Sequence, residues 1–109
     1  MNLNAKKDRI IRNLSQAAAE VFPNGEGNAF LFGSQARGDN SDESDWDILV
    51  LTAKKVESQK DFDTFVSPFA EIGWLMDVEI NPIQYSMEEW NHRKGSLFYD
   101  NVMRDAIKL

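Results

Sequence analysis

The sequence predicts an α+β fold, a small mixed β-sheet with helices packed on one face, formed by a single domain over residues 1–109. Three observations predict it. Stretches with apolar residues at three- and four-residue spacing alternate with short β-prone apolar runs, in the order α, β, short α, β, α, β, α, α. Two of the predicted strands carry acids at alternate positions, which leaves one side of the sheet apolar and the other acidic. The chain has 109 residues, 42% of them hydrophobic, enough for one modest core.

Residues 3–22 form the first predicted helix, with Ile10, Leu14, Ala17, Ala18 and Val21 on one side and charged residues opposite. Phe22-Pro23-Asn24-Gly25 ends it. Ala29–Phe32 is a strand, Gly33-Ser34 opens a single helical turn closing at Gly38, and a polar loop from Asp39 to Ser44 leads into a second strand, Asp45–Leu51. Thr52–Glu57 reads as a connection. Residues 58–72 carry Phe62, Phe65, Val66, Phe69 and Ile72 at helical spacing. Pro68 either kinks this helix or starts a new one capped by Ser67, and Gly73 is its stop. Trp74–Tyr85 is the third strand, held to an edge or a bulge by Pro82. Ser86-x-x-Glu89 is a capping box, Gly95 closes that helix, and Ser96 caps a last one to about Ile107, with Leu97, Phe98, Val102 and Ile107 inward. Trp74 and Trp90 read as core or rim packing, and His92, the only histidine, as a surface side chain.

Composition narrows the function. The chain contains no cysteine, which removes disulfides and thiolate metal sites. With 18 acidic and 12 basic residues its net charge is −6, which argues against nucleic-acid binding. No apolar run reaches membrane-span length and MNLNAKKDRI lacks a signal-peptide core, so the expectation is a cytoplasmic protein without a membrane role.

The chemistry concentrates in AFLFGSQARGDNSDESDWDILVL, residues 29–51. On a strand, Asp45 and Asp47 share a face about 6.6–6.8 Å apart, while Trp46, Ile48 and Val50 point the other way. Adjacent carboxylates repel and raise one another's pKa unless a cation lies between them. Magnesium takes oxygen ligands and prefers one or two carboxylates plus substrate phosphates. Gly33 permits close backbone approach, and Ser34 lies where a helix start offers N–H groups to an anion or simply caps that start. Arg37 is a candidate phosphate donor that could equally bridge to Asp39 or Asp42.

Gly33-Ser34, ten intervening residues, then Asp45-x-Asp47 between two apolar strands resembles the signature of minimal nucleotidyltransferases in the DNA polymerase β-like superfamily. The resemblance is sharpest over residues 29–51, and the size of the family's small members extends it over nearly the whole chain. It implies transfer of a nucleoside monophosphate, AMP from ATP, to an acceptor hydroxyl, with Gly33, Ser34 and Arg37 binding the nucleotide. It also implies two Mg2+ ions, replaceable by Mn2+, held by Asp45, Asp47 and a third carboxylate from the third strand. Asp77, set in LMDVE, is the match chosen, and Glu79 on the same face is its competitor. Small domains of this kind act as antitoxins that modify a HEPN-type toxin, so the partners implied are a nucleoside triphosphate and such a protein, with self-association left open. Two alternatives stand beside this reading: a binding module that neutralises its partner without catalysis, and a transferase acting on a small molecule.

Overall fold

Trp46–Thr52, here β2, has the sequence WDILVLT, and every residue except Asp47 is buried. A nearly unbroken apolar run of this kind suits a strand covered on both faces. The computed structural model describes residues 3–38 and 45–109. Around β2 they form α1 (Leu3–Val21), β1 (Asn28–Phe32), α2 (Ser34–Arg37), α3 (Gln59–Phe65), α4 (Ser67–Met76), β3 (Ile80–Ser86), α5 (Met87–Asn91), α6 (Leu97–Asp105) and β4 (Ile107–Lys108). The sheet order is β3-β2-β1-β4. β1 runs antiparallel to both β2 and β4, and β2 runs parallel to β3, so the sheet is mixed as expected.

The alternation of side chains along the strands sorts the core into two clusters. On one face Ala29, Leu31, Trp46, Ile48 and Val50 pack with Ile10, Leu14, Ala17 and Ala18 of α1 and Phe69 and Ile72 of α4. This is the expected helical layer. The other face is less open than the sequence suggested, because Phe32, Leu49 and Leu51 pack with Trp90 of α5 and Val102 of α6. Trp90 anchors that smaller cluster, with the rings of Tyr85, Phe98 and Tyr99 around it at centroid distances of 5.2, 5.9 and 4.9 Å. Among the described residues, the end of this face where β2 begins carries Asp45, Asp47 and Asn81.

Several elements differ from the sequence expectation for local reasons. The 58–72 stretch is two helices, with Pro68 in the first turn of α4, where its missing N–H costs nothing. Val66, not Ser67, is the residue preceding that helix. Gly73 does not stop α4, which runs to Met76 and ends at Asp77 in the left-handed conformation, φ 54°. Residues 74–79 are therefore not strand, and β3 starts at Ile80. At the C-terminus α6 ends at Asp105, and Ile107 pairs with Leu31 in β4. Leu97 and Phe98 do not form the buried side of α6: Leu97 is 76% exposed, and Val102 supplies the anchor. The capping box survives intact, with Ser86 Oγ accepting from Glu89 N at 3.0 Å and Ser86 N donating to Glu89 Oε1 at 2.9 Å.

These burials give opposite outcomes for two leucines. Leu49→Ala, at a position with no exposure, should cost about 2–5 kcal/mol in urea unfolding. Leu97→Ala should cost under about 0.5 kcal/mol, as a surface change does.

Candidate active site

The turn between β1 and α2 sets the geometry. Gly33 adopts φ 76°, ψ −159°, a region essentially restricted to glycine. A Cβ built there would lie 2.5 Å from Asp47 Oδ2. The backbone conformation by itself calls for glycine, and a side chain there would also crowd the Asp47 carboxylate. Gly33 also precedes α2 as its N-cap, with its carbonyl accepting from Ala36 N and Arg37 N at 3.1 Å, so Ser34 is the first helical residue and not the cap. Gly38, in the left-handed conformation, ends the turn by donating its N–H to Ser34 O at 2.9 Å. Asp39, Asp42 and Glu43, the remainder of the acidic stretch, lie outside the described residues.

β2 and β3 pair in parallel with Asp47 opposite Asn81, and Trp46 N donates to Glu79 O at 2.9 Å. Registered residues of adjacent strands share a face, so Asn81 reaches the acidic pair from the side: its Nδ2 donates to Asp45 Oδ2 at 3.0 Å. Asp47 is the perturbed member of the group. Burial raises its pKa above the ordinary carboxylate range, and the neighbouring Asp45 charge adds to that. The Asn81 amide and the Arg37 guanidinium pull in the opposite direction without cancelling the rise.

Arg37 spans two groups. Its Nη1 donates to Asp105 Oδ2 at 2.8 Å, tying the turn after β1 to the end of α6, while its charge still acts on Asp47. Hydrogen bonds from Arg104 and Arg37 hold the Asp105 carboxyl below its usual range. Sequence reasoning missed Asp105. It lies 68 residues from Arg37, and no local pattern links them.

The structure brings Gly33, Asp45, Asp47 and Arg37 together, and it does not bring Asp77 to the pair. Asp77 caps α4 and, with Glu79 and Asn81, lines a groove of about 720 Å³ whose wall includes Trp74. Trp74 is 83% exposed, not core. Among the described residues no three His, Cys, Asp or Glu side chains gather at metal-binding distance. Among the described residues the polar groups at the head of β2 are two carboxylates and one amide, whose NH2 faces Asp45. The two carboxylates fit a hard divalent cation that completes its shell with water and phosphate oxygens. The sequence carried a signal for Asn81, since Asp77, Glu79 and Asn81 would share one face of an extended strand, but an amide has neither the charge nor the spacing of an acidic motif.

The sequence profile of the "Polymerase beta, Nucleotidyltransferase" family matches residues 27–101, which hold all of these groups except Asp105. The chain belongs to that nucleotidyltransferase family. Two proteins of Methanocaldococcus jannaschii, MJ0604 and MJ0141, whose assignment as protein adenylyltransferases is itself inferred, are 36% and 30% identical to it over 76 residues. Those alignments cover 70% of this chain and 70% and 76% of the relatives. A crystal structure from Sulfolobus solfataricus, itself assigned by inference as a nucleotidyltransferase, superposes with a TM-score of 0.59 at 27% identity, covering 95% of this chain and 82% of that one. A crystal structure of a toxin–antitoxin with AMP-PNP shares the fold at a TM-score of 0.55 and 17% identity, over 86% of this chain and 70% of that one.

Gly33→Ala should be destabilising by about 1–3 kcal/mol from backbone conformation alone, before the contact with Asp47 is counted, and chemical denaturation would measure it. The pH dependences of Asp47 and Asp105 are opposite in sign. Asp47 has a raised pKa in the folded state, so folding takes up its proton; metal-free stability falls as pH rises through that pKa. Asp47→Asn should remove this fall and raise the metal-free Tm at neutral pH by about 1–3 °C. Asp105 has a lowered pKa, so its contribution is present above the ordinary carboxylate range and disappears as pH falls through the folded value. Thermal melts across pH on the two Asp→Asn variants separate these effects.

Proposed function

We propose that this nucleotidyltransferase moves AMP from ATP to a hydroxyl of a partner protein in a Mg2+-dependent reaction. The observation that carries the reading is the packing of the Gly33 turn against the Asp47 carboxylate, which sets a glycine turn and a helix start beside an acidic pair. The inferred protein-adenylyltransferase assignment of the two M. jannaschii relatives supports AMP as the transferred group and protein as the acceptor. The toxin–antitoxin neighbour supports a toxin as that partner, and a HEPN-type toxin is the one we propose.

In this reading Gly33, Ser34 and the start of α2 lie against the triphosphate, and Arg37 shares its charge between Asp105 and phosphate oxygens. Asp45 and Asp47 hold Mg2+, which when bound offsets charge on phosphate and reacting oxygens. The acceptor oxygen attacks the α-phosphorus, its bond to the β-bridging oxygen breaks, pyrophosphate leaves, and the hydroxyl proton passes to solvent or a nearby carboxylate. The product is an AMP phosphodiester on the acceptor. The groove beside Asn81 is the approach we assign to the acceptor, with Trp74 on its wall. ATP and magnesium are both available in the cytoplasm, and no described helix is long and apolar enough to cross a membrane.

The test is label transfer from α-labelled ATP to the protein encoded beside this chain's gene. Wild-type protein with Mg2+ should label that partner, and Asp45→Asn with Asp47→Asn should abolish labelling and Mg2+–ATP binding while the chain stays folded. Tight partner binding without label would instead establish a binding module. Trp74→Ala should reduce partner labelling several-fold with ATP affinity unchanged in calorimetry.

A further inference from the structure

The position from which β3 addresses the acidic pair belongs to Asn81, and its chemistry differs from that of an acid. The parallel register sets Asn81 beside Asp47, and its amide is bonded to Asp45 at 3.0 Å. Asp77 is held away in the left-handed cap of α4, with its N–H bonded to Gly73 O. Glu79 precedes β3, and its carbonyl is engaged by Trp46 N. Neither joins Asp45 and Asp47 in a three-acid set.

We infer that Asn81 is the third member of the cation site and makes it a two-carboxylate, one-amide site that holds one divalent cation firmly with the nucleotide, not two. This deepens the proposed function at the same site and rests on it. The physical reason is charge. Two dications about 3.5–4 Å apart repel strongly and are held together by shared anionic oxygens. A neutral amide supplies an oxygen but no charge, so among the described residues Asp45 and Asp47, with phosphate, are what neutralise the pair. The amide is also two-sided. Without a cation its NH2 group donates to Asp45 and relieves carboxylate repulsion, and with the side chain turned over its oxygen becomes a ligand. A carboxylate at 81 would do the second task better and the first not at all, because a third like charge would join the pair.

The experiment counts Mn2+ bound per chain by electron paramagnetic resonance and calorimetry, with a non-hydrolysable ATP analogue present. Wild type should bind one Mn2+ tightly. Asn81→Asp should tighten a second Mn2+ by about tenfold or more, since ligand charge count tunes affinity at such sites. It should also lower the metal-free Tm while raising the Mn2+-saturated one. Asn81→Ala should keep a cooperative melt and lose several-fold in affinity for the single Mn2+. Asp77→Asn should leave the count unchanged. Two equally tight Mn2+ ions in wild type, with no gain in Asn81→Asp, would overturn the inference and leave the nucleotide-transfer reading standing. So would loss of a Mn2+ ion in Asp77→Asn. No nucleotide-dependent Mn2+ in wild type would overturn both.

Discussion

The site depends on the central place of β2 in the sheet, paired antiparallel with β1 on one side and parallel with β3 on the other. Its register puts Asp47 between the end of β1 and Asn81 of β3. From one side Gly33 presents bare backbone, and from the other an amide approaches. Because strand side chains alternate, a slip of one residue would exchange the acidic pair for Trp46 and Ile48 and expose the core. The two apolar clusters on opposite faces of the sheet therefore hold register for stability and fix the position of the acids with the same contacts.

This end of the strand is electrostatically uncomfortable. Asp47 is part-buried beside another carboxylate, its pKa is raised, and the glycine next to it is in a conformation open to few other residues. None of this stabilises the folded chain. Discomfort of this kind persists where surrounding packing over-determines it, and it clusters at sites of chemistry. Trp46, Ile48, Leu49 and Val50, all essentially without exposure, supply that packing on either side of Asp47 along the strand. Arg37 is the compensating charge, and its bond to Asp105 ties that compensation to α6.

The proposed function gives the Gly-Ser turn and the acid pair a shared purpose, and the structure adds what is individual to this chain. An amide faces the pair from β3. A second small core, built on Trp90, closes most of the face that the acids share. A groove lined by Asp77, Glu79 and Asn81 leads away from it past an exposed tryptophan. Binding and transfer at such a site are set by how many charges the protein contributes and from which direction.

The sequence by itself determined the local features: the amphipathic first helix, the Gly33–Gly38 turn, the alternation that separates Asp45 and Asp47 from Trp46 and Ile48, and the Ser86–Glu89 capping box. Each rests on residues within one or two turns of one another, where propensity and periodicity act directly. The tertiary structure alone decided the features that depend on distant partners. Residues 74–76 continue α4 instead of starting a strand, and Val78 N follows by bonding back to Gly73 O. Ile107 leaves α6 to pair with Leu31, because β1 has an open edge there. Asp105 becomes the partner of Arg37, and Asn81 the partner of Asp45, through contacts 68 and 36 residues apart along the chain. Alternation assigns a side chain to a face, but only pairing between strands assigns it a neighbour, and the identity of the third group at this site is a matter of neighbours.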